Sequence, residues 1–335
     1  MENYIQKLRD RKDLSESEIQ SVMRLIISGE AAQDAVGEFL LALNAKRPTI
    51  DEITGAAKIL RQFSLQVKTK HQVILDTCGT GGDKKGTFNI STVAAFVVAG
   101  AGVVLAKHGN RSVSSKCGSA DVLEALGVNL NVEQQHLGEC LDKIGMAFLF
   151  AQKLHPAMKN VAPIRKSLGV ETIFNILGPL LNPARATHQM MGVYNRDYVE
   201  PLANVLKNLG LRRALVVHGS DGLDEVTTTG PTFISQYNGR DIESYTLDPA
   251  ESGFSLASDE DLKGGDLAQN TAIVLDILKG ARGPKRDIVI LNAACALYCA
   301  EKVRAIFEGI ELAEHSLDSG SAWKKLEELK DFTNK

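Results

Sequence analysis

The sequence predicts an α/β protein: a small N-terminal all-helical domain followed by a large α/β domain with a mainly parallel central sheet. Three observations carry this. Two helix-capping boxes lie within the first 70 residues, where glycine is sparse. From residue 73 onward short β-rich runs alternate with helical ones, and that alternation implies a parallel sheet with helices on its faces. The 335 residues, 44% apolar and 24% charged, have an ordinary globular composition and suffice for one large domain or two smaller ones.

Ser15 with Glu18 makes the first capping box, with Leu14 and Ile19 at staple positions. Thr49 with Glu52 makes the second, and Ile53, Ala57, Leu60 and Phe63 follow at helical spacing. These signals place the small domain over residues 1–70 and the large one over 71–335. A strand is expected at 73–75, a helix at 91–99, a strand at 102–106 and a helix at 120–126. Further strands are expected at 147–150, 190–194 and 214–217, each separated from the next by helical sequence. "TFISQYNGRDIESYTL" alternates around Asn238-Gly239 and reads as a hairpin. Pro284 starts an apolar helix running to Ala300.

Several function classes are disfavoured. A formal net charge of -3 does not favour a polyanionic partner. No apolar run approaches the ~18 residues of a membrane span, and "MENYIQKLRDRKDLS" lacks the apolar core of a signal peptide. The five cysteines are odd in number and form no C-x-x-C, so neither a disulfide framework nor a zinc site is suggested. Cys295 and Cys299 lie four apart in an apolar helical stretch and read as core. A reduced, cytoplasmic protein is expected.

Three stretches carry chemistry. "DTCGTGGDKKGTFNIST", residues 76–92, is glycine-rich and follows an apolar run. Such a loop lets backbone N–H groups approach a phosphate. It is not a Walker loop, because Thr87 stands where lysine is required, nor a dinucleotide fingerprint, because Lys84 stands at the third glycine. Its end places Asn89, Ser91 and Thr92 at a helix N-terminus, a ready anion site to which the dipole adds roughly 0.3–1 kcal/mol. The plainer alternative is that Asn89 or Ser91 only caps the helix.

The second stretch, "KHGNRSVSSKCGSAD", gathers Lys107, His108, Arg111 and Lys116 with no acid before Asp121. It reads as a second wall of an anion site, or else as a solvated basic turn. His108 is expected to orient a ligand rather than to act as a base. The third, "HGSDGLDEVTTTG", holds Asp221, Asp224 and Glu225, oxygen ligands of the kind that suit Mg²⁺; otherwise it is an Asp-Gly turn. Together the three suggest a Mg²⁺–pyrophosphate ligand. Cys78 and Cys117, with no base in evidence, are read as small packing residues.

"GTGGD", "NIST", "KHGNRSVSSKCGSADVLEALG", "FNILGPLLNP" and "DGLDE" resemble, in order and over nearly the whole chain, the anthranilate phosphoribosyltransferase family. The resemblance implies transfer of the phosphoribosyl group of 5-phosphoribosyl 1-diphosphate to the amine of anthranilate, in tryptophan biosynthesis, with Mg²⁺. It implies a cytoplasmic homodimer with the helical domain at the interface and part of 160–185 packed on that domain. Its fold class is shared with pyrimidine nucleoside phosphorylases. Carried over, Gly79, Gly82, Asp83, Thr87, Asn89, Ile90, Ser91 and Thr92 would hold the diphosphate end of the donor. Lys107, His108, Gly109, Asn110, Arg111, Ser112, Val113, Ser114, Ser115 and Ser119 would hold the remainder. Ser91, Asp224 and Glu225 would bind Mg²⁺, and Gly79, Asn110 and Arg165 would contact anthranilate.

Arg165 suits that role because a guanidinium binds a carboxylate bidentately, although "APIRKSLG" alone reads as a helix surface. No residue is assigned as general acid or base. One departure is Glu171, where many members have arginine before "TIFN". The alternatives are a pyrimidine nucleoside phosphorylase-like enzyme, whose characteristic loop differs from "KHGNRSVSS", and a nucleic-acid-binding relative, which would need basic stripes.

Overall fold

Both capping boxes form. Ser15 Oγ accepts the Glu18 N–H at 3.2 Å and Glu18 Oε2 accepts the Ser15 N–H at 2.7 Å. Thr49 and Glu52 repeat the exchange at 3.3 and 2.7 Å. The staple residues Leu14 and Ile19 are buried. The computed structural model, which describes residues 1–111 and 117–335, places four helices here: α1 (Glu2–Arg9), α2 (Glu16–Ser28), α3 (Gln33–Lys46) and α4 (Ile50–Gln62).

The chain then alternates as β1 (Leu75–Gly79), α5 (Ile90–Gly100), β2 (Leu105–Gly109), α6 (Ser119–Ala125), α7 (Gln134–Ile144) and β3 (Met146–Phe150). Short helices α8 (Ala151–Leu154), α9 (Ala162–Leu168) and α10 (Phe174–Leu177) lead to β4 (His188–Gly192), α11 (Val199–Asn208) and β5 (Arg213–Gly219). The hairpin β6 (Thr232–Tyr237) and β7 (Ile242–Leu247) follows, then α12 (Leu267–Leu278), α13 (Pro284–Cys299), α14 (Ile306–Asp318) and α15 (Ser321–Thr333). Among the described residues the strands form one sheet in the order β3-β2-β1-β4-β5-β6-β7. The first five are parallel, and β5, β6 and β7 pair antiparallel. Asn238 Oδ1 closes the hairpin loop by accepting the N–H groups of Arg240 and Asp241, both at 2.9 Å.

The sheet has a core on each face, because successive strand side chains point opposite ways. On β5, Leu215 and Val217 join one core and Ala214 and Val216 the other. The first core holds α5, which is apolar on all sides and buried under α13 and α15. The second runs from the sheet through α11 to α1–α4, and also takes in Val161, Ile164, Phe174, Leu177 and Leu180.

Two strands begin and end later than the apolar runs predict. β1 covers Leu75–Gly79 rather than 73–75, and β2 covers Leu105–Gly109 rather than 102–106. The polar residues at these strand ends are buried and bonded inside the protein. Asp76 Oδ1 accepts the His108 N–H at 3.0 Å, and Asn182 Nδ2 donates to the Ala106 carbonyl at 2.8 Å. Side chains here replace ladder bonds, so hydrophobicity alone does not mark where the strands stop.

Candidate active site

The chain leaves β1 to build β2 and β3 on one side, then returns to build β4 and β5 on the other. In such a sheet the crevice lies beyond the carboxyl ends of the strands at the reversal. Two glycines end those strands in register, Gly79 opposite Gly192. Each is required by a close approach: a Cβ on Gly79 would overlap the Asp224 carboxylate, and one on Gly192 the Asp224 carbonyl. The missing side chains therefore admit the acidic stretch to the crevice.

Three loops meet there. Asp224 Oδ2 accepts the Gly81 N–H at 2.7 Å, and Glu225 Oε1 accepts the Ser91 N–H at 3.2 Å. Lys107 Nζ donates to the Thr77 carbonyl at 2.7 Å and to Ser91 Oγ at 3.3 Å. Burial raises the pKa of Asp224, and Asp83 raises it further; burial and then Asp224 raise that of Glu225, with Lys107 opposing. Buried carboxylates whose charge is disfavoured by their surroundings and by neighbouring acids are what a divalent cation relieves. No group of three His, Cys, Asp or Glu side chains converges on one point among the described residues. An ion that takes one or two carboxylates and completes its shell with water and phosphate oxygens, as Mg²⁺ does, needs no such group.

Asp221 does not share this role. Its Oδ2 accepts the Thr227 and Thr229 hydroxyls, both at 2.7 Å, and its Oδ1 accepts the Leu223 N–H at 3.1 Å. It shapes the turn that carries the other two acids.

The glycine loop is open. Gly81, Gly82 and Gly86 have φ of +66°, +85° and +69°, so these positions need glycine for conformation rather than for space. Asp83 Oδ1 accepts the Lys85 N–H at 3.1 Å, and Thr87 bridges to Lys263. Asn89 precedes α5 but makes no side-chain cap. Its Nδ2 instead donates to the Cys117 carbonyl at 3.2 Å, tying the first loop to the second. Among the described residues, its Oδ1 and the hydroxyls of Thr77 and Thr92 are buried without a partner. Buried polar atoms are seldom left so; the Thr77 hydroxyl on β1 and the Thr92 hydroxyl in the first turn of α5 can donate to an anion, whereas Asn89 Oδ1 can only accept. Ile90 is buried beneath them.

The second loop divides. Lys107 and His108 are strand residues and buried, and burial lowers the pKa of both. His108 Nε2 lies 3.1 Å from His155 Nε2, which sequence reasoning did not single out. Gly109 allows Ser119 Oγ and the Phe148 ring to press against the backbone. The Asn110 carbonyl accepts the Ala120 N–H at 3.2 Å, and Asn110 Oδ1 the Arg111 N–H at 2.8 Å. Arg111 turns to α6 and pairs with Asp121 and Glu124, each at 2.8 Å. Ser112, Val113, Ser114, Ser115 and Lys116 lie outside the described residues.

Arg165 is the contrast. It is half-buried on α9 with its guanidinium 5.5 Å from the centre of the Phe174 ring. Burial lowers its pKa, and among the described residues no carboxylate pairs with it. Glu171, the departure noted above, accepts the Tyr194 hydroxyl at 3.0 Å. No disulfide joins the cysteines, and burial pushes the thiols of Cys78 and Cys117 up, away from nucleophilic use. Sequence reasoning also missed Gly192; the glycine closing the run "MMG" was its only signal.

Residues 71–323 match the family described as "Glycosyl transferase family, a/b domain", and residues 2–64 match "Glycosyl transferase family, helical bundle domain". The chain is 48% identical over 335 residues to an anthranilate phosphoribosyltransferase of Symbiobacterium thermophilum, covering 100% of this chain and 98% of that one. It is similar to the crystal structure of the anthranilate phosphoribosyltransferase from Thermus thermophilus, with TM-score 0.94, 41% identity and 99% of each chain covered. It is also similar to the Saccharomyces cerevisiae enzyme in complex with PRPP and Mg, with TM-score 0.91, 29% identity, and 99% and 97% covered. The yeast enzyme in complex with 4-fluoroanthranilate matches at TM-score 0.89 and 28% identity, with the same coverage.

Proposed function

The chain belongs to the anthranilate phosphoribosyltransferases of the glycosyl transferase family, and we propose that its three loops carry the family's reaction with Mg²⁺. The phosphoribosyl group of 5-phosphoribosyl 1-diphosphate passes to the amine of anthranilate, a step of tryptophan biosynthesis. The bond from the anomeric carbon to the diphosphate oxygen breaks, and a bond to nitrogen forms with inversion. The amine then gives up a proton, and pyrophosphate leaves. Anthranilate's amine is neutral at pH 7, so no strong base is needed.

The observation that carries this reading is the meeting of Asp224 and Glu225 with the Gly81 and Ser91 N–H groups, at a glycine loop and a helix N-terminus. Ser91, Asp224 and Glu225 would hold Mg²⁺. When bound, the ion neutralises charge developing on the leaving diphosphate. Gly79, Gly82, Asp83, Thr87, Asn89, Ile90 and Thr92 surround that end of the donor, and residues 107–115 with Ser119 take the remainder. Arg165 would bind the anthranilate carboxylate, with Gly79 and Asn110 beside it. The enzyme's work is then largely electrostatic and positional. We also read the protein as a cytoplasmic homodimer, with a domain boundary near residue 70; light scattering at micromolar protein tests the dimer.

The deciding experiment follows anthranilate fluorescence with donor and Mg²⁺ present, then with a chelator. A decay that requires both donor and metal is expected. A folded protein that binds the donor yet leaves the fluorescence unchanged would remove anthranilate as substrate.

A further inference from the structure

Asn292 lies in the middle of α13, between Leu291 and Ala293, and is 1% exposed. A buried amide must spend its donors and acceptor or cost stability, so its partners say why it is there. Its Oδ1 accepts the Val226 N–H at 3.0 Å, and its Nδ2 donates to the Val226 carbonyl at 2.7 Å. Nδ2 also donates to the Ile288 carbonyl, one turn back on its own helix, at 2.8 Å. One side chain thus takes both backbone groups of a residue in another segment, as a neighbouring strand would. That residue directly follows Glu225. The same segment is confined from another direction, where Gly192 admits the Asp224 carbonyl and Gly79 the Asp224 carboxylate. Asn292 also borders the small cavity lined by Ser91, Gly192 and Glu225.

We infer that Asn292 is a positioning residue of the transferase: its clamp on Val226, set against the close approach at Gly192, aims the carboxylates of Asp224 and Glu225 at one cation. The inference rests on the reading of those two acids as the Mg²⁺ pair. Among the described residues, the Asn292 side chain has no hydrogen-bond partner besides the Val226 and Ile288 backbone groups. Its neighbours Leu291, Ala293, Ala294 and Cys295 are fully buried and apolar or nearly so, and a leucine would suit the helix. What an apolar residue would not do is hold two successive ligand-bearing residues in register.

The test compares wild type, Asn292→Ala, Asn292→Asp and Asp224→Asn, all full length and with 5-phosphoribosyl 1-diphosphate present. Mn²⁺ binding is read by electron paramagnetic resonance, the half-saturating Mg²⁺ by steady-state rates, and folding by circular dichroism. Loss of a group that orients metal ligands typically weakens metal binding by about 10–100-fold, and that range is expected for Asn292→Ala. The KM for anthranilate should change by less than about twofold, since the hydrogen bonds of Asn292 go to Val226 and Ile288 and not to Asn110 or Arg165. Asn292→Asp keeps the volume and the acceptor for the Val226 N–H but sets an oxygen where the NH₂ donated to the Val226 and Ile288 carbonyls, so a loss at least as large as that of Asn292→Ala is expected.

A folded Asn292→Ala with unchanged Mn²⁺ binding and only a lower melting temperature would overturn the inference, as would equal weakening toward every ligand. Failure of both variants to fold would make Asn292 a core strut and overturn it too. Asp224→Asn separates the levels. If it weakens Mn²⁺ binding and Asn292→Ala does not, the clamp alone is wrong; if it changes nothing, the magnesium pair and the clamp fall together.

Discussion

Arg165 and Arg111 look alike in the sequence and differ in the folded chain. Arg111 is neutralised by Asp121 and Glu124, whereas Arg165 has the Phe174 ring and no carboxylate among the described residues. A half-buried guanidinium without a counter-ion is suited to a substrate carboxylate. A hydrogen bond to a charged group is worth about 1.5–3 kcal/mol, so Arg165→Ala should raise the KM for anthranilate roughly ten- to a hundredfold. Donor binding should change far less, and steady-state kinetics with each substrate varied checks this; equal loss for both would end the assignment. Neither the pairing of Arg111 nor the isolation of Arg165 could be read in advance, because both depend on which helix lies alongside. His155 is a second case. Burial pushes its imidazole down to about 4, below the ordinary 6.5. The unfolded chain therefore takes the proton first. Stability is full above pH 6.5 and falls as pH drops toward 4, by about 3 kcal/mol in all. Urea midpoints at pH 7 and pH 5 should differ markedly in wild type and less in His155→Gln.

Helices and strands were legible to different degrees, for reasons that lie in what holds each. The capping boxes at Ser15 and Thr49 are local, made by residues three apart, and the structure forms both. The start of α13 at Pro284 and the hairpin at Asn238 are also local signals, and both occur. The ends of β1 and β2 are not local. Asp76, Lys107 and His108 are buried there and bonded to residues far along the chain: Asp76 accepts the His108 N–H, Lys107 donates to the Thr77 carbonyl and His108 meets His155, while Asn182 donates to the neighbouring Ala106 carbonyl. The glycine loop is legible in the sequence as a loop between a strand and a helix, but its tie to Asp224 depends on β4 and Gly192. The same distinction predicts unequal costs. Thr49→Ala removes a cap and should lower stability by about 1 kcal/mol. Phe96→Ala empties a site buried at 0% exposure between the sheet and the outer helices, and should cost about 3–5 kcal/mol. Urea denaturation of the two variants measures the difference; equal effects would mean that α5 is less tightly packed than its burial indicates.

At the scale of the molecule, α1–α4 do not close a core by themselves. Leu40, Leu43 and Leu60 belong to the same apolar cluster as Phe174 and Leu177, Leu202 and Leu206 on α11, and Met191 and Val216 in the sheet. Arg61, 6% exposed, makes the seam explicit: its Nε donates to the Leu180 carbonyl at 2.6 Å, and Arg185 donates back to the Arg61 carbonyl at 3.0 Å. A chain of about 60 residues buries only about 60% of its surface even when it folds alone and is marginal for that reason. Cut free at residue 64, the four helices would also expose the apolar surface now facing α10 and α11, and would leave the Arg61 guanidinium without its carbonyl. Residues 1–64 expressed alone should therefore keep helix content by far-ultraviolet circular dichroism yet show no cooperative heat absorption by calorimetry. The full chain should show a cooperative transition that rises when donor and Mg²⁺ are added, by about 2.7 kcal/mol of stability at a hundred times the dissociation constant. If the fragment melts as sharply as the full chain, the helices hold a core of their own, and the seam at Arg61 is a contact between finished domains instead of a shared interior.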